Sequence, residues 1–222
     1  MESEHHDYKD SASLTAWVRY LIYAQVLVAV ISIASNQMEY RLLSDFQAGV
    51  YASQVDAIAA GEASDQRQSV VAIVYLLVFI VSGVFILMWI YRANYNARQL
   101  GAEGMKFSPG WSVGWYFVPI ATLWKPYQAM KEIWRTSHAP TDWQDASATA
   151  LLPLWWFFWL ASNALGQAAF RMSFRAEEIV ELMDVNRVYL ASDVFDIGLA
   201  FTMLALVNGI YRAQMAHARV GT

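Results

Sequence analysis

From Ser69 to Ile90 the chain reads Ser-Val-Val-Ala-Ile-Val-Tyr-Leu-Leu-Val-Phe-Ile-Val-Ser-Gly-Val-Phe-Ile-Leu-Met-Trp-Ile, with no charged side chain anywhere in it. A helix of this length spans the roughly 30 Å hydrocarbon core of a bilayer, and it has no polar face to turn toward water. A buried helix of a soluble domain would need such a face unless it were enclosed on all sides. The rest of the chain agrees: 57% of its residues are hydrophobic and only 15% charged, too apolar for a soluble domain of this size. The expected class is an all-α membrane protein.

Four stretches have the length and composition of spans, at residues 14–36, 69–93, 149–171 and 188–212 of a single integral membrane domain, 1–222. A fifth apolar stretch, Trp111 to Trp124, would cover only about 21 Å as a straight helix at about 1.5 Å per residue, and Pro119 interrupts it. It is expected to dip into the membrane or lie along it, within a broken, amphipathic or re-entrant segment at residues 107–136 on the cytoplasmic side. With both termini inside, Lys9, Arg19, Arg92, Arg98, Lys106, Lys125, Lys131, Arg135, Arg212 and Arg219 are cytoplasmic or at that boundary, against Arg41, Arg67, Arg171, Arg175 and Arg187 outside. This is the asymmetry the positive-inside rule requires, and a fifth full span would destroy it. The fold predicted is a bundle of four transmembrane helices with the broken helix between the second and third. The outer loop, residues 37–68, should hold one short helix from Val55, ended near Gly61. An acidic N-terminus, Met1 to Asp7, without a small-x-small cleavage site reads as preceding a retained first span rather than as a secretory signal.

Several function classes are disfavoured. A formal charge of −4 with no basic stripe argues against nucleic acid. Zero cysteines exclude thiol chemistry and cysteine-ligated metals, and four histidines, two of them adjacent at His5 and His6, show no metal-binding spacing. No nucleophile–base pair can be named, since the serines lack a placed histidine and His138 and His217 stand alone in the sequence. No cofactor or metal is expected, and an enzyme is the least favoured class.

The polar residues at the membrane boundary offer two candidate sites. On the cytoplasmic side, Arg92 and Asn96 share one helix face and Asn94 and Arg98 another. They read either as an interfacial anchor or as a polar site for a lipid headgroup or loop backbone. Ser108 followed by Pro109 should start a new helix. Gly110 and Gly114 on that helix have the spacing that lets a second backbone approach, and Trp111 and Trp115 share a face. Pro119 and Pro126 would free the carbonyls of Trp115 and Thr122, giving either a cavity-lining break or a simple turn. Beyond Trp124, the residues Tyr127, Met130, Ile133 and Trp134 mark an apolar helical face, with Lys125, Gln128, Lys131, Glu132 and Arg135 on the polar one, suited to anionic lipid. The second candidate lies inside the membrane. Asp193 and Asp196 open the last span, with Asn208 deeper, and are expected either to lie near the outer interface, hydrogen-bonded or paired with Arg171, Arg175 or Arg187, or to handle protons or ions. Asn163, Gln167 and Arg171 form an i, i+4, i+8 stripe that should face other helices, with Gln25 in a similar role. Trp155, Trp156, Phe157, Phe158 and Trp159 read as an aromatic belt.

The run Arg-Ala-Asn-Tyr-Asn-Ala-Arg from Arg92, followed by Phe-Ser-Pro-Gly-Trp-Ser-Val-Gly-Trp-Tyr-Phe-Val-Pro from Phe107 and Leu-Trp-Lys-Pro-Tyr-Gln to Gln128, resembles the hallmark of a bacterial integral membrane family catalogued as a domain of unknown function, DUF4328. The similarity extends to Glu39-Tyr-Arg-Leu-Leu and to Ser162, Asn163, Gly166 and Gln167. It departs from the family at Thr122, where asparagine is more usual. The resemblance implies a multi-pass protein of the bacterial inner membrane and brings no catalytic residue or ligand.

The sequence therefore favours a non-enzymatic membrane module that binds membrane lipids, or a membrane partner or second copy of itself, through Arg92, Asn94, Asn96, Arg98, Trp111, Trp115, Trp124, Lys125, Lys131 and Arg135. The alternative is a small transporter or ion-coupled carrier using Asn163, Gln167, Arg171, Asp193 and Asp196.

Overall fold

The computed structural model describes residues 8–220, so the acidic tail with His5 and His6 lies outside it. Among the described residues all regular structure is helical. The α-helices are α1 (Ala12–Gln47), α2 (Gln54–Gln99), α3 (Pro109–Gly114), α4 (Lys125–His138), α5 (Leu151–Ser173) and α6 (Ile179–Val220). Single 3-10 turns occupy Trp115–Phe117, Ala121–Leu123 and Pro140–Asp142.

Three helices, α1, α2 and α6, are long and apolar enough to cross a membrane. The charge-free run of α2 makes the case most directly. Leu76, Leu77, Phe79 and Ile80, four large apolar residues within five positions, are each at least half exposed. Water would not tolerate such a surface, whereas lipid tails solvate it. The chain is an all-α membrane protein.

α1 and α2 run well past the expected spans. The loop expected at residues 37–68 shrinks to residues 48–53, and the short helix expected to end near Gly61 is instead the first part of α2, which passes through Gly61 unbroken. A glycine inside a helix costs only about 1 kcal/mol, and the facing helix offsets it. Glu39 of α1 accepts a hydrogen bond from Ser64 and pairs with Arg67 at 3.4 Å; Arg67 Nε also donates to Ser35 at 3.1 Å, and Ser35 donates to Gln68 at 2.9 Å. These contacts zip the two extensions together.

The chain forms two compact units. Unit 1 comprises residues 1–22, 81–156 and 201–222, and unit 2 residues 23–80 and 157–200. The core of unit 1 is built from Val18, Ile22, Trp89, Ile90, Met130, Ile133, Leu152, Leu206 and Ile210, all nearly inaccessible. Trp89 buries its ring and donates Nε1–H to Thr15 at 3.1 Å. Gln214, also buried, ties three elements at once, donating Nε2–H to the Ala93 carbonyl at 2.8 Å and to Ser137 at 2.9 Å. Gly209 admits the edge of the Trp134 indole so closely that a Cβ there would lie 2.7 Å from the ring.

Unit 2 relies on small residues for close approach. Ser162, Gly166 and Ala169 form one face of α5, with Gly166 opposite Ser192 of α6. Gly198 of α6 receives the ring of Phe158. The expected aromatic belt is thus split by function, since Trp155 is buried and Phe158 is a packing ring, while Phe157 faces outward. The spacing of Gly110 and Gly114 does not bring in a second backbone. Nothing lies within 4 Å of a Cβ at Gly110, and Gly114 meets only the ring of Trp111, because α3 is too short to present a helix-packing ridge.

Gly209→Ala is expected to destabilise the protein by about 1–3 kcal/mol by displacing the rigid indole, whereas Gly110→Ala should be close to neutral. Thermal unfolding of both variants in the same detergent checks the contrast.

Candidate functional site: a cationic aromatic cleft and a buried acid pair

The segment between α2 and α4 is assembled by side chains gripping backbone. α2 ends in a Schellman turn: Gly101, at φ 96, donates to Arg98 O at 3.1 Å, and Ala102 donates to Ala97 O at 3.2 Å. The loop that follows is held from both sides. Asn94, fully buried, donates to the Phe107 carbonyl at 3.0 Å, and Arg98 donates to the same oxygen at 2.8 Å. From α4, the two oxygens of Glu132 accept the amides of Lys106 and Phe107, both at 3.0 Å. Trp143 closes the loop by donating Nε1–H to Glu103 O at 2.8 Å, over a small core of Ala97, Ala102 and Met105. The other face of α2 holds a different segment. Asn96 donates to Lys9 O at 2.9 Å and accepts from Lys9 N at 3.1 Å, and Arg92 donates to Asp10 O at 3.1 Å. The amides of Asn94 and Asn96 are therefore occupied by loop backbone, leaving neither turned toward a ligand.

Ser108 caps α3 by accepting from Trp111 N at 3.3 Å, with Pro109 in its first turn. The helix tightens into a 3-10 turn and breaks at Val118. Ala121 N donates to Pro119 O at 2.7 Å across Ile120, whose φ of 64° and ψ of −53° make it the centre of a rare γ-turn strained for a β-branched residue. Pro126 does not interrupt a helix, as it lies in the first turn of α4, where its missing N–H costs nothing. Phe117, Ile120, Leu123 and Trp124 all project outward from this knuckle.

Beside the knuckle lies an open cleft of about 520 Å³ lined by Lys106, Phe107, Trp111, Trp115, Lys125, Gln128, Lys131, Glu132, Arg135 and Trp143. Trp111 and Trp115 pack against each other with ring centroids 4.7 Å apart. The Lys125 ammonium sits 5.5 Å from the Trp115 ring and 5.7 Å from the Phe107 ring, within cation–π range. The one acid in the lining, Glu132, belongs to α4's buried face rather than its polar one, because it serves the loop amides. Among the described residues, Lys106, Lys125, Lys131 and Arg135 form no ion pair, and the buried Nε of Arg135 has no partner. The cleft therefore carries a local excess of positive charge. Of the sequence candidates it gathers Trp111, Trp115, Lys125, Lys131 and Arg135, and it leaves out Arg92, Asn94, Asn96 and Arg98, which hold loops, and Trp124, which projects from the knuckle.

In unit 2 the acids of α6 meet hydroxyls and amides. Asp193 accepts from Ser32 at 2.8 Å and Asn36 at 3.1 Å; Asp196 accepts from Tyr75 at 2.7 Å and from Ser162. Asp196 and Tyr75 also line a small cavity with Gln25. Of the structural alternatives, hydrogen bonding is what the acids adopt, and neither pairs with an arginine. Arg187 turns outward to Asp184 and Tyr40, both at 2.7 Å, and Arg171 and Arg175 are exposed. The Asn163, Gln167 and Arg171 stripe also faces outward rather than toward other helices, and Asn163 donates to the carbonyl of Trp159 one turn back. The helix contact uses the Ser162, Gly166 and Ala169 face instead, with Gly166 against Ser192 of α6. Asn208, in unit 1, accepts from Arg19 at 2.7 Å.

A family model described as Domain of unknown function (DUF4328) matches residues 51–212. The chain belongs to this family. The DUF4328 match takes in the loop clamp, the knuckle, the cleft and both acids. No curated protein and no solved structure matches the chain.

Sequence reasoning missed the buried Gln214 and Asn36 and put the buried Glu132 on the polar face of α4. A polar residue interrupting an apolar face was the available signal at Gln214; for Glu132 the i, i+4 pattern pointed to the opposite face. Glu132→Gln, which presents an amide N–H₂ where an acceptor is needed, is expected to cost about 1–3 kcal/mol. It should also speed hydrogen exchange at the amides of Lys106 and Phe107, measurable by mass spectrometry of the detergent-solubilised protein.

Proposed function

We propose that the chain is a non-enzymatic membrane module whose unit 1 cleft receives the phosphate-bearing headgroup of an anionic lipid. The observation that carries this reading is the set of four cations, Lys106, Lys125, Lys131 and Arg135, around one cleft without an acid partner among the described residues. Each additional cation held near its neighbours costs Coulomb energy, and a multiply charged anion would turn that cost into attraction. The tryptophans suit the same depth, since indoles concentrate at the headgroup level. The outward-facing Phe117, Ile120, Leu123 and Trp124 would meet the acyl region while the cleft meets phosphate, which supports a re-entrant or surface-seated knuckle.

In this reading α5 is a fourth crossing. Its 23 residues reach about 34 Å at about 1.5 Å per residue, and its aromatic run suits an interface. The positive-inside count then gives both termini cytoplasmic in a bacterial inner membrane.

Lys131→Ala combined with Arg135→Ala is expected to weaken binding of phosphatidylglycerol several-fold while leaving neutral phosphatidylcholine unaffected. Native mass spectrometry of the protein from mixed nanodiscs, repeated at raised salt, measures this directly. Equal retention of phosphatidylglycerol by the variant and the parent would reject the proposal.

A further inference from the structure

The charge of the unit 1 cleft and its length along α4 narrow what it can take. Four cations, Lys106, Lys125, Lys131 and Arg135, and one acid, Glu132, line it, which leaves a net charge of +3. Glu132 is committed to the amides of Lys106 and Phe107, and none of the cations has an acid partner among the described residues. A single phosphodiester brings one negative charge and leaves most of that excess, so the cations still repel one another. A headgroup with two phosphates brings at least twice as much.

Three of the cations are set out along one helix. Lys125, Lys131 and Arg135 belong to α4, and the first and last stand about 15 Å apart along its axis at about 1.5 Å per residue. Lys125 is held near the N-terminal end, its ammonium 5.5 Å from the Trp115 ring and 5.7 Å from the Phe107 ring. Swinging toward Arg135 would give up that cation–π attraction. Toward the C-terminal end, Arg135 has an Nε–H enclosed by protein without an acceptor, a state that costs free energy until an oxygen meets it. Phosphate suits that position, because a guanidinium can donate to it through two parallel N–H groups. The cleft, at about 520 Å³, lies within the roughly 300–1,000 Å³ usual for small-molecule sites. A lone phosphate would fill only a small part of it.

We propose that the cleft selects lipids whose headgroup carries two phosphates, one met by Lys125 and the other by Lys131 and Arg135. This rests on the reading of the cleft as a headgroup site and narrows its ligand class. Two chemistries supply such a headgroup: two phosphodiesters joined by a short polyol, and a diphosphate ester. The spacing along α4 favours the first, since its phosphates can separate whereas those of a diphosphate share an oxygen.

The test uses the full chain in phosphatidylcholine nanodiscs, with retained lipid read by native mass spectrometry. Cardiolipin, phosphatidylglycerol, phosphatidic acid and farnesyl diphosphate compete at equal total phosphate. Cardiolipin is expected to be retained several-fold over phosphatidylglycerol and phosphatidic acid. Lys125→Ala should reduce cardiolipin retention several-fold and leave phosphatidylglycerol little changed, because Lys131 and Arg135 still serve one phosphate. Lys125→Gln, which keeps most of the stem beside the rings, should do the same and holds the comparison open where the alanine variant folds poorly. Farnesyl diphosphate retained ahead of cardiolipin would support two phosphates in the diphosphate form. Equal retention of all four lipids, or a preference for phosphatidic acid, would overturn the proposal and leave anionic-lipid binding standing. Retention of none of them would overturn both readings.

Discussion

Glu132 takes the amides of Lys106 and Phe107 with its two oxygens, and the character of unit 1 follows from that choice of partners. A carboxylate among four cations would ordinarily pair with one of them. Committed to backbone N–H groups, Glu132 builds the loop wall of the cleft and leaves Lys106, Lys125, Lys131 and Arg135 without an acid partner among the described residues. The same side chain that orders the loop therefore keeps the cleft cationic. A neutral amide at this position would leave the cleft cationic but could accept only one of the two loop amides.

The loops of this protein are built by a consistent device. Where backbone leaves a helix, its N–H and C=O groups are taken up by side chains from another element: Asn94 and Arg98 for Phe107, Asn96 for Lys9 and Trp143 for Glu103. In an apolar surrounding an unpaired backbone group costs several kcal/mol, so irregular segments are tolerated only where such side chains reach them. This explains why the motif between Arg92 and Gln128 carries Asn94, Asn96 and Ser108 beside its tryptophans. Those residues are largely the scaffold of the cleft, and its lysines and arginine form the charged surface that the scaffold presents.

The class of fold was legible because it rests on composition and length: a charge-free run longer than a bilayer is thick has few ways to fold. The start of α3 at Ser108 and Pro109 was legible for the same local reason. Helix extent beyond the membrane was not. Whether α2 stops at Gly61 depends on Glu39 meeting Ser64 and Arg67 across the hairpin, which is a tertiary event. Helix faces were legible only where size did not intervene. Asn163, Gln167 and Arg171 form a proper polar stripe, yet the adjacent face of Ser162, Gly166 and Ala169 took the helix contact because it permits close approach. The pairing of Asp193 and Asp196 with hydroxyls and amides rather than arginines follows from that same decision, since it turned Arg171 outward.

The turn at Ile120 shows how the cleft is kept open. Two 3-10 turns and a γ-turn reverse the chain between Trp115 and Lys125, and a β-branched residue in this backbone region costs on the order of 1–3 kcal/mol. Glycine would take the conformation without that strain. The isoleucine instead places an exposed apolar side chain at the apex, beside Phe117 and Leu123. In water that arrangement would be unfavourable twice over, through strain and through exposure. In contact with acyl chains the exposure becomes favourable at about 25 cal/mol per Å² of apolar surface removed from water, enough for a large side chain to offset the strain. A knuckle seated in lipid would hold the chain reversal in place and fix the depth of the cations behind it, so that the cleft opens at the level of the headgroup phosphates.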